Sequence, residues 1–314
     1  MRVLNLVTTE TDPFFIQQVR RLSRANVETA TLAVPGEYCP DDAESRSVLQ
    51  YARFYPAVLR ESRREYDIVH ANFGLTGPHA LAQPVRPVVL SLWGSDLLGR
   101  YATVSKICAR HADAVVVMSD EMADSLDVDC HVIPHGVDLE RFEPMHTPDA
   151  RDELGWRSGV RHVLFPYPPN RTVKNYPRAK RVVEAVDDAL DVPVELHAVS
   201  DVPHERMSVY MNAADCLLLT STREGSPNTV KEALACNLPV VSTAVGDVPT
   251  RLDGVTPSHV GRTDRELVEG LRDVLERRVR SDGRAAVREV SLERTTERLR
   301  ALYCDLLDGG TGLG

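Results

Sequence analysis

Short apolar runs alternate with amphipathic segments along almost the whole chain. Val3 to Val7 precedes a helical pattern over Phe14 to Ala25, and further runs follow at Thr29 to Val34, Ile68 to Ala71, Val88 to Leu92, Val115 to Val117 and His131 to Ile133. Runs this short and this rich in Val, Ile and Leu suit strands buried on both faces, so the alternation predicts a parallel sheet covered by helices. A second series opens at Val160 to Phe165. It continues with a helical pattern over Lys174 to Leu190, strand-like runs at Val194 to Val199, Cys216 to Leu219 and Val240 to Thr243, and ends in helical sequence. That predicts a second α/β unit. Between the two series, the segment from Phe142 to Pro148 lacks periodicity and carries two prolines, as a linker does. The expected division is therefore 1–150, 151–291, and a terminal helix and tail over 292–314, the tail from Asp308 to Gly312 being frayed.

One predicted strand-to-helix junction carries chemistry. After Asp215 to Leu219 the chain reads Thr-Ser-Thr-Arg-Glu-Gly-Ser-Pro-Asn-Thr-Val-Lys-Glu, ending at Glu232. Ser226 and Pro227 read as N-cap and first helical residue, since the hydroxyl accepts an orphan N–H and proline needs no partner there. The unpaired N–H groups of the first turn, including those of Asn228 and Thr229, face a positive dipole end. Together with Gly225, which lets a ligand approach the backbone, they suit a phosphate. Glu224 lies just before that end and Glu232 about a turn and a half inside it, so one dipole does not explain both. Taken alone, so short a motif also fits an ordinary capped helix with two solvated acids.

The surroundings change that balance. From Ala213 through Ser221, across Glu224 and Glu232, and on through Ala233 to Thr243, the segment resembles the Glu-x7-Glu signature of the retaining glycosyltransferases of family 4, which have the GT-B fold. The resemblance implies two Rossmann-like parallel-sheet domains facing a central cleft. It also implies metal-independent transfer of a sugar from a nucleotide diphosphate sugar with retention, and no cofactor. It places Glu224 at the sugar and Glu232 at the ribose, with Gly225 to Thr229 on the diphosphate. The stretch Leu292 to Leu307 resembles the family's C-terminal helix, which often crosses back to the first domain.

Composition narrows the alternatives. The chain has 314 residues, enough for two cores, and 43% hydrophobic content; its formal charge is −9 with both signs interspersed, which argues against a nucleic-acid surface. The apolar runs are too short to span a bilayer and the start lacks a signal-peptide pattern, so a cytoplasmic protein is expected. Lipid-linked acceptors leave peripheral membrane contact open, alongside glycan and small-molecule acceptors. Cys39, Cys108, Cys130, Cys216, Cys236 and Cys304 show no Cys-x-x-Cys spacing, so reduced thiols and no zinc site are expected.

The loop from Phe165 to Asn175 puts Arg171 and Lys174 in a proline-rich turn before a helix, where cations are unfavourable unless an anion is present. The family resemblance assigns both to the phosphate oxygens of the leaving diphosphate, at a spacing shorter than usual, and makes them with Glu224 at the sugar the catalytic set. In the first domain Trp93 stands where the family often has His. Trp93, Gly94 and Asp96 are either sugar or acceptor contacts or, equally, a core aromatic and a helix cap. His135 replaces a usual Asn and Thr250 a frequent acid. Glu10, in the loop from Thr9 to Phe15 that lacks the family's paired glycines, belongs to the implied acceptor side. Asp127-Val128-Asp129 matches Asp-x-Asp but precedes a strand rather than following one, and reads as a solvated turn; no metal ligand is expected. Neither a phosphate-binding Gly-x4-Gly-Lys-Ser/Thr loop nor a Gly-x-Gly-x-x-Gly after the first strand is present. The competing functions are a catalytically silent nucleotide-sugar-binding subunit and a nucleotide-sugar epimerase or hydrolase.

Overall fold

The computed structural model describes residues 1–36 and 48–309; Cys39 and the tail from Gly310 lie outside the described residues. The chain divides into two compact units, Met1–Gly136 with Leu292–Gly314, and Val137–Ser291. Each is a parallel α/β sheet, the expected fold class.

In the first unit β1 (Arg2–Val7), β2 (Glu28–Ala33), β3 (Ile68–Asn72), β4 (Val88–Ser91), β5 (Ala114–Val117) and β6 (His131–Val132) pair in the order β2-β1-β3-β4-β5-β6. All pairings are parallel. Every residue of β3, β4 and β5 is buried, as central strands covered on both faces must be. The helix Pro13–Arg24 starts where Asp12 accepts from the amides of Phe14 and Phe15, at 2.9 and 3.3 Å. The helix Leu292–Leu307 belongs to this unit, and Leu299, Leu302 and Tyr303 join its core. The Tyr303 hydroxyl lies 2.6 Å from His70 Nδ1, while His70 Nε2 lies 2.7 Å from Ser91 Oγ. Burial lowers the His70 pKa to about 3, so the imidazole is neutral and one ring nitrogen donates while the other accepts.

The second unit contains β7 (Arg161–Phe165), β8 (Val194–Ala198), β9 (Cys216–Leu219), β10 (Val240–Thr243) and β11 (His259–Gly261) in the order β11-β10-β9-β7-β8, again all parallel. Relative to chain order this is a doubly wound 2-1-3-4-5 arrangement, with its switch point between β7 and β9. In such sheets ligands lie outside the carboxyl ends of the strands at that point.

The boundary differs from the expected one near residue 150. Phe142 is 1% exposed, and its carbonyl accepts from Arg284 Nη1 at 2.6 Å. The Met145 amide donates to Asn212 Oδ1 at 2.8 Å. Pro148 opens the helix Thr147–Leu154 rather than a linker, and these bonds and the buried ring bind the segment to the second unit, so the division falls at Gly136. Elements without a counterpart in the sequence reading include the helices Val48–Glu61, Ala102–Ala109, Thr147–Leu154 and Met207–Ala213 and the three-residue strand β11.

Candidate functional site

The loops leaving β7 and β9 meet at the switch point of the second unit. Thr222 N donates to Val173 O at 2.9 Å and Thr220 Oγ1 to Lys174 O at 3.0 Å, which fixes one loop on the other. Lys174 sits at the end of a 3₁₀ turn, Thr172–Lys174, followed by Asn175 at φ 54°, and the helix begins only at Tyr176. That turn aims the lysine inward. Its Nζ donates to Glu224 Oε1 at 2.5 Å, with the two side chains 6% and 15% exposed. The same ammonium lies 3.8 Å from the Tyr167 ring centroid, a cation–π contact, and the Tyr167 hydroxyl lies 2.5 Å from Thr229 Oγ1. One cation, one carboxylate, one ring and the first turn of the helix Asn228–Ala235 thereby become a single connected set.

The helix start differs from the sequence reading. Pro227, not Ser226, occupies the N-cap position, without a side-chain cap bond, and Asn228 is the first helical residue. Ser226 Oγ donates instead to Asp247 Oδ2 at 2.8 Å and accepts from Lys231 Nζ at 3.1 Å, because an ionised carboxylate is a stronger acceptor for the hydroxyl than capping offers it as a role. Arg251 Nε also donates to Asp247, at 2.9 Å. Lys231 is 1% exposed, and burial lowers its pKa to about 8 despite the opposing Asp247 charge. The Asp247 amide donates to Gly225 O at 3.1 Å, and the preceding Gly246 (φ +52°) lies so close that an added Cβ would stand 2.3 Å from that oxygen. The Gly225 loop is thus held from beneath by the turn at Gly246.

Glu232 is 3% exposed and its Oε1 accepts from His204 Nε2 at 2.7 Å. Burial disfavours the His204 imidazolium, but the bond to Glu232 and its charge outweigh burial and raise the pKa above the ordinary histidine value. The Asn228 side-chain oxygen and the Ser221 hydroxyl are buried without a hydrogen-bond partner among the described residues, which is uncommon for polar atoms outside ligand sites.

The structure brings together Lys174, Glu224, Gly225, Ser226, Pro227, Asn228, Thr229 and Glu232, all around one loop pair and one helix start. Arg171 lies on the exposed opening of the same loop. Sequence reasoning missed Tyr167, His204, Lys231 and Asp247 as members. The charged pair Lys231-Glu232 inside a short helix with buried residues throughout was a usable signal, because such charges need partners.

In the first unit Asp96 is fully buried. Its Oδ1 accepts from the amides of Trp93 and Gly94, both at 2.9 Å, and its Oδ2 from Gly74 N at 2.8 Å, so this carboxylate fastens the turn after β4 to the end of β3. Trp93 is half-buried and meets His135 edge to face at 4.8 Å, and Phe14 stacks on His135 at 5.8 Å. These three residues wall a pocket of about 410 Å³, counted out to its mouth, that also takes in Gln18, Ser91 and Thr296. Glu10 is exposed on the loop after β1. Asp127 is exposed and paired with Arg110 at 2.8 Å, a surface turn.

A doubly wound sheet whose switch point gathers a buried cation, two carboxylates and a helix N-terminus without a side-chain cap defines a protein that handles phosphorylated, hydroxyl-rich ligands. Comparison with known proteins narrows the class. The family model of the glycosyl transferases group 1 matches residues 176–277, and that of Glycosyltransferase Family 4 matches residues 6–141. The D-inositol 3-phosphate glycosyltransferase of Geodermatophilus obscurus is 26% identical over 81% of this chain and 70% of its own length. The putative teichuronic acid biosynthesis glycosyltransferase TuaC of Bacillus subtilis is 27% identical over 63% of this chain and 59% of its own. Among solved structures, a sucrose-phosphate synthase from Thermosynechococcus elongatus superposes with a TM-score of 0.74 at 16% identity, covering 99% of this chain and 100% of the other. Anabaena HepE in complex with UDP gives 0.72 at 14% identity, covering 98% and 100%. The chain belongs to the family 4 nucleotide-sugar glycosyltransferases, of GT-B fold. Among the described residues, no helix is long and apolar enough to cross a membrane.

Proposed function

We propose that this chain moves a glycosyl group from a nucleoside diphosphate sugar to an acceptor hydroxyl, with retention at the anomeric carbon and without a metal ion at the diphosphate. The observation that carries this reading is the Lys174–Glu224 contact between the two loops of the switch point. Departure of a nucleoside diphosphate builds negative charge on phosphate oxygens. Lys174, Arg171 and the first-turn amides of Asn228–Ala235 supply preorganised positive charge there, the service a divalent cation gives elsewhere. Lys174 retains donors beyond the one given to Glu224, and its position over Tyr167 limits its wandering. Glu224 orients the sugar hydroxyls. Glu232, fixed by His204, keeps its second oxygen for ribose hydroxyls, and Asn228 and Ser221 offer further polar atoms. On the acceptor side, Trp93, Phe14 and His135 offer flat apolar walls suited to a sugar or cyclitol face, with Gln18 and Ser91 as polar contacts.

Nucleoside diphosphate sugars are first screened by thermal shift, beginning with UDP-glucose, with which Anabaena HepE was solved. With the donor in hand, Arg171→Ala and Glu224→Gln should each lower turnover by roughly 10²-fold or more. Normal turnover in both variants overturns the assignment. Sugar released as the free hydrolysis product across a broad acceptor panel would instead favour a hydrolase.

A further inference from the structure

Three side chains converge on one face of β7 and β8, away from the loops used above. The parallel register sets His162 opposite Glu195 and Leu164 opposite His197. Glu195 and His197, two apart, therefore share one face of the edge strand β8, and His162 joins them from the neighbouring strand. His162 Nδ1 lies 2.9 Å from His197 Nε2, and Glu195 Oε2 lies 3.9 Å from the first nitrogen and 3.7 Å from the second. One ligand-type atom from each residue falls within 4.8 Å of the others.

The protonation pattern follows from chemistry. His162 Nε2 lies 2.9 Å from the carbonyl oxygen of Arg157, which only accepts, so Nε2 carries the proton and Nδ1 turns a lone pair toward His197. A backbone carbonyl in that place is the usual outer support of a metal-ligating histidine. Trp156 covers the cluster, stacked on His197 with centroids 3.9 Å apart and tilted over His162 at 4.7 Å. The His162 side chain is fully buried, whereas those of His197 and Glu195 are 21% and 33% exposed, which leaves a way in from the sheet edge.

We propose that His162, Glu195 and His197 form a binding site for a divalent transition-metal ion, zinc foremost, that ties the edge strand β8 to β7. Two imidazoles and one carboxylate suit zinc and its neighbours, whereas calcium and magnesium favour all-oxygen shells. Ligand atoms about 2.0–2.1 Å from a tetrahedral ion stand roughly 3.3 Å from one another. The observed separations bracket that value, so side-chain shifts below an ångström bring all three into reach. His197 would move its proton to Nδ1. Glu195, now bonded to Arg157, would exchange that partner for the ion, and the Arg157 side chain is 71% exposed and able to swing out. Water fills the fourth position. The expectation of no zinc site rested on cysteine spacing, and these ligands lie on two strands with no motif to mark them.

The test uses tag-free, metal-free full chain titrated with Zn²⁺ in a calorimeter. One saturable site is expected, with a rise in Tm of roughly 5 °C at saturation. Cu²⁺ should quench the fluorescence of Trp156. His197→Phe keeps an aromatic ring against Trp156 but removes the ligand nitrogen, and should weaken Zn²⁺ binding at least tenfold; Glu195→Gln, at a partly exposed position that tolerates change, should do likewise. No saturable heat in the parent chain, or parental affinity in these variants, overturns the site.

Discussion

Replacing Lys174 by Met separates what its ammonium does for the fold from what it does for the reaction. The Lys174–Glu224 pair is 2.5 Å long and its side chains are 6% and 15% exposed. Removing one member of a buried pair strands the other charge, at a cost of about 3–5 kcal/mol; the residual access of water to Glu224 argues for the lower end, about 3 kcal/mol. In a unit the size of Val137–Ser291 that corresponds to a fall in Tm of roughly 6–12 °C. The double variant Lys174→Met/Glu224→Gln removes the stranded charge and should recover most of the loss, to within about 1 kcal/mol of the parent. Turnover behaves differently. Both variants lack the cation we propose to face the leaving diphosphate, so kcat should fall by roughly 10²–10³ in each, with no recovery in the double variant. Denaturant unfolding of the single, partner and double variants gives the coupling, and a donor-turnover assay gives the rest. A double variant no more stable than Lys174→Met, or one that regains turnover, refutes the reasoning.

Lys231 should make stability rise with pH. Burial lowers its pKa from 10.5 to about 8, so between those values the unfolded chain holds a proton the folded chain has lost, and about 3 kcal/mol is regained as pH climbs through that window. Denaturant stability of the parent minus that of Lys231→Met should increase from pH 7.5 to pH 10; a fall contradicts the burial argument. His204 works in the opposite sense. With its pKa raised by Glu232, the pair contributes fully below the unfolded histidine pKa of about 6.5 and fades as pH rises through the folded value, so the destabilisation in His204→Gln should shrink from pH 6 to pH 9. Gly246→Ala adds a left-handed backbone penalty of about 1–2 kcal/mol to a Cβ placed 2.3 Å from Gly225 O; the donor Kd should rise together with the loss of stability, and an unchanged Kd would detach this turn from the ligand loop. Tyr303→Phe leaves buried His70 short of a partner and should cost about 1–3 kcal/mol by chemical denaturation, without altering donor affinity.

The sheets were legible because buried parallel strands are written as unbroken apolar runs. Ile68, Val69 and Leu90 need no distant information to be read as interior, nor do the residues of Cys216–Leu219. The strand β11 was not, since His259 and Val260 carry little apolar signal and pair only because Val241 and Ser242 present an edge. The linker reading failed for a related reason. A proline opens a helix as readily as it marks a linker, as Pro148 does here, and whether the chain leaves the core depends on Arg284 and Asn212, far along the sequence.

The same distinction orders the site. Glu224, Gly225 and Glu232 were visible because one loop and one helix turn bring them close, and Lys174 because a cation before a helix invites an anion. Ser226 was visible but misassigned, for its choice between the cap and Asp247 is decided by a second loop, reached through Gly246. Asp96 shows the converse. A carboxylate after a strand in the implied acceptor region invited a ligand role, yet three backbone amides engage it, and it shapes the turn that presents Trp93. Local spacing therefore identifies which residues can reach a phosphate, whereas long-range partners decide which polar groups are already committed. His204 and Tyr167, invisible to spacing, restrain Glu232 and Lys174 through single contacts. On the first unit the walls of Phe14, Trp93 and His135 follow the same rule, since ring contacts between residues far apart in sequence, and no local spacing, build that pocket.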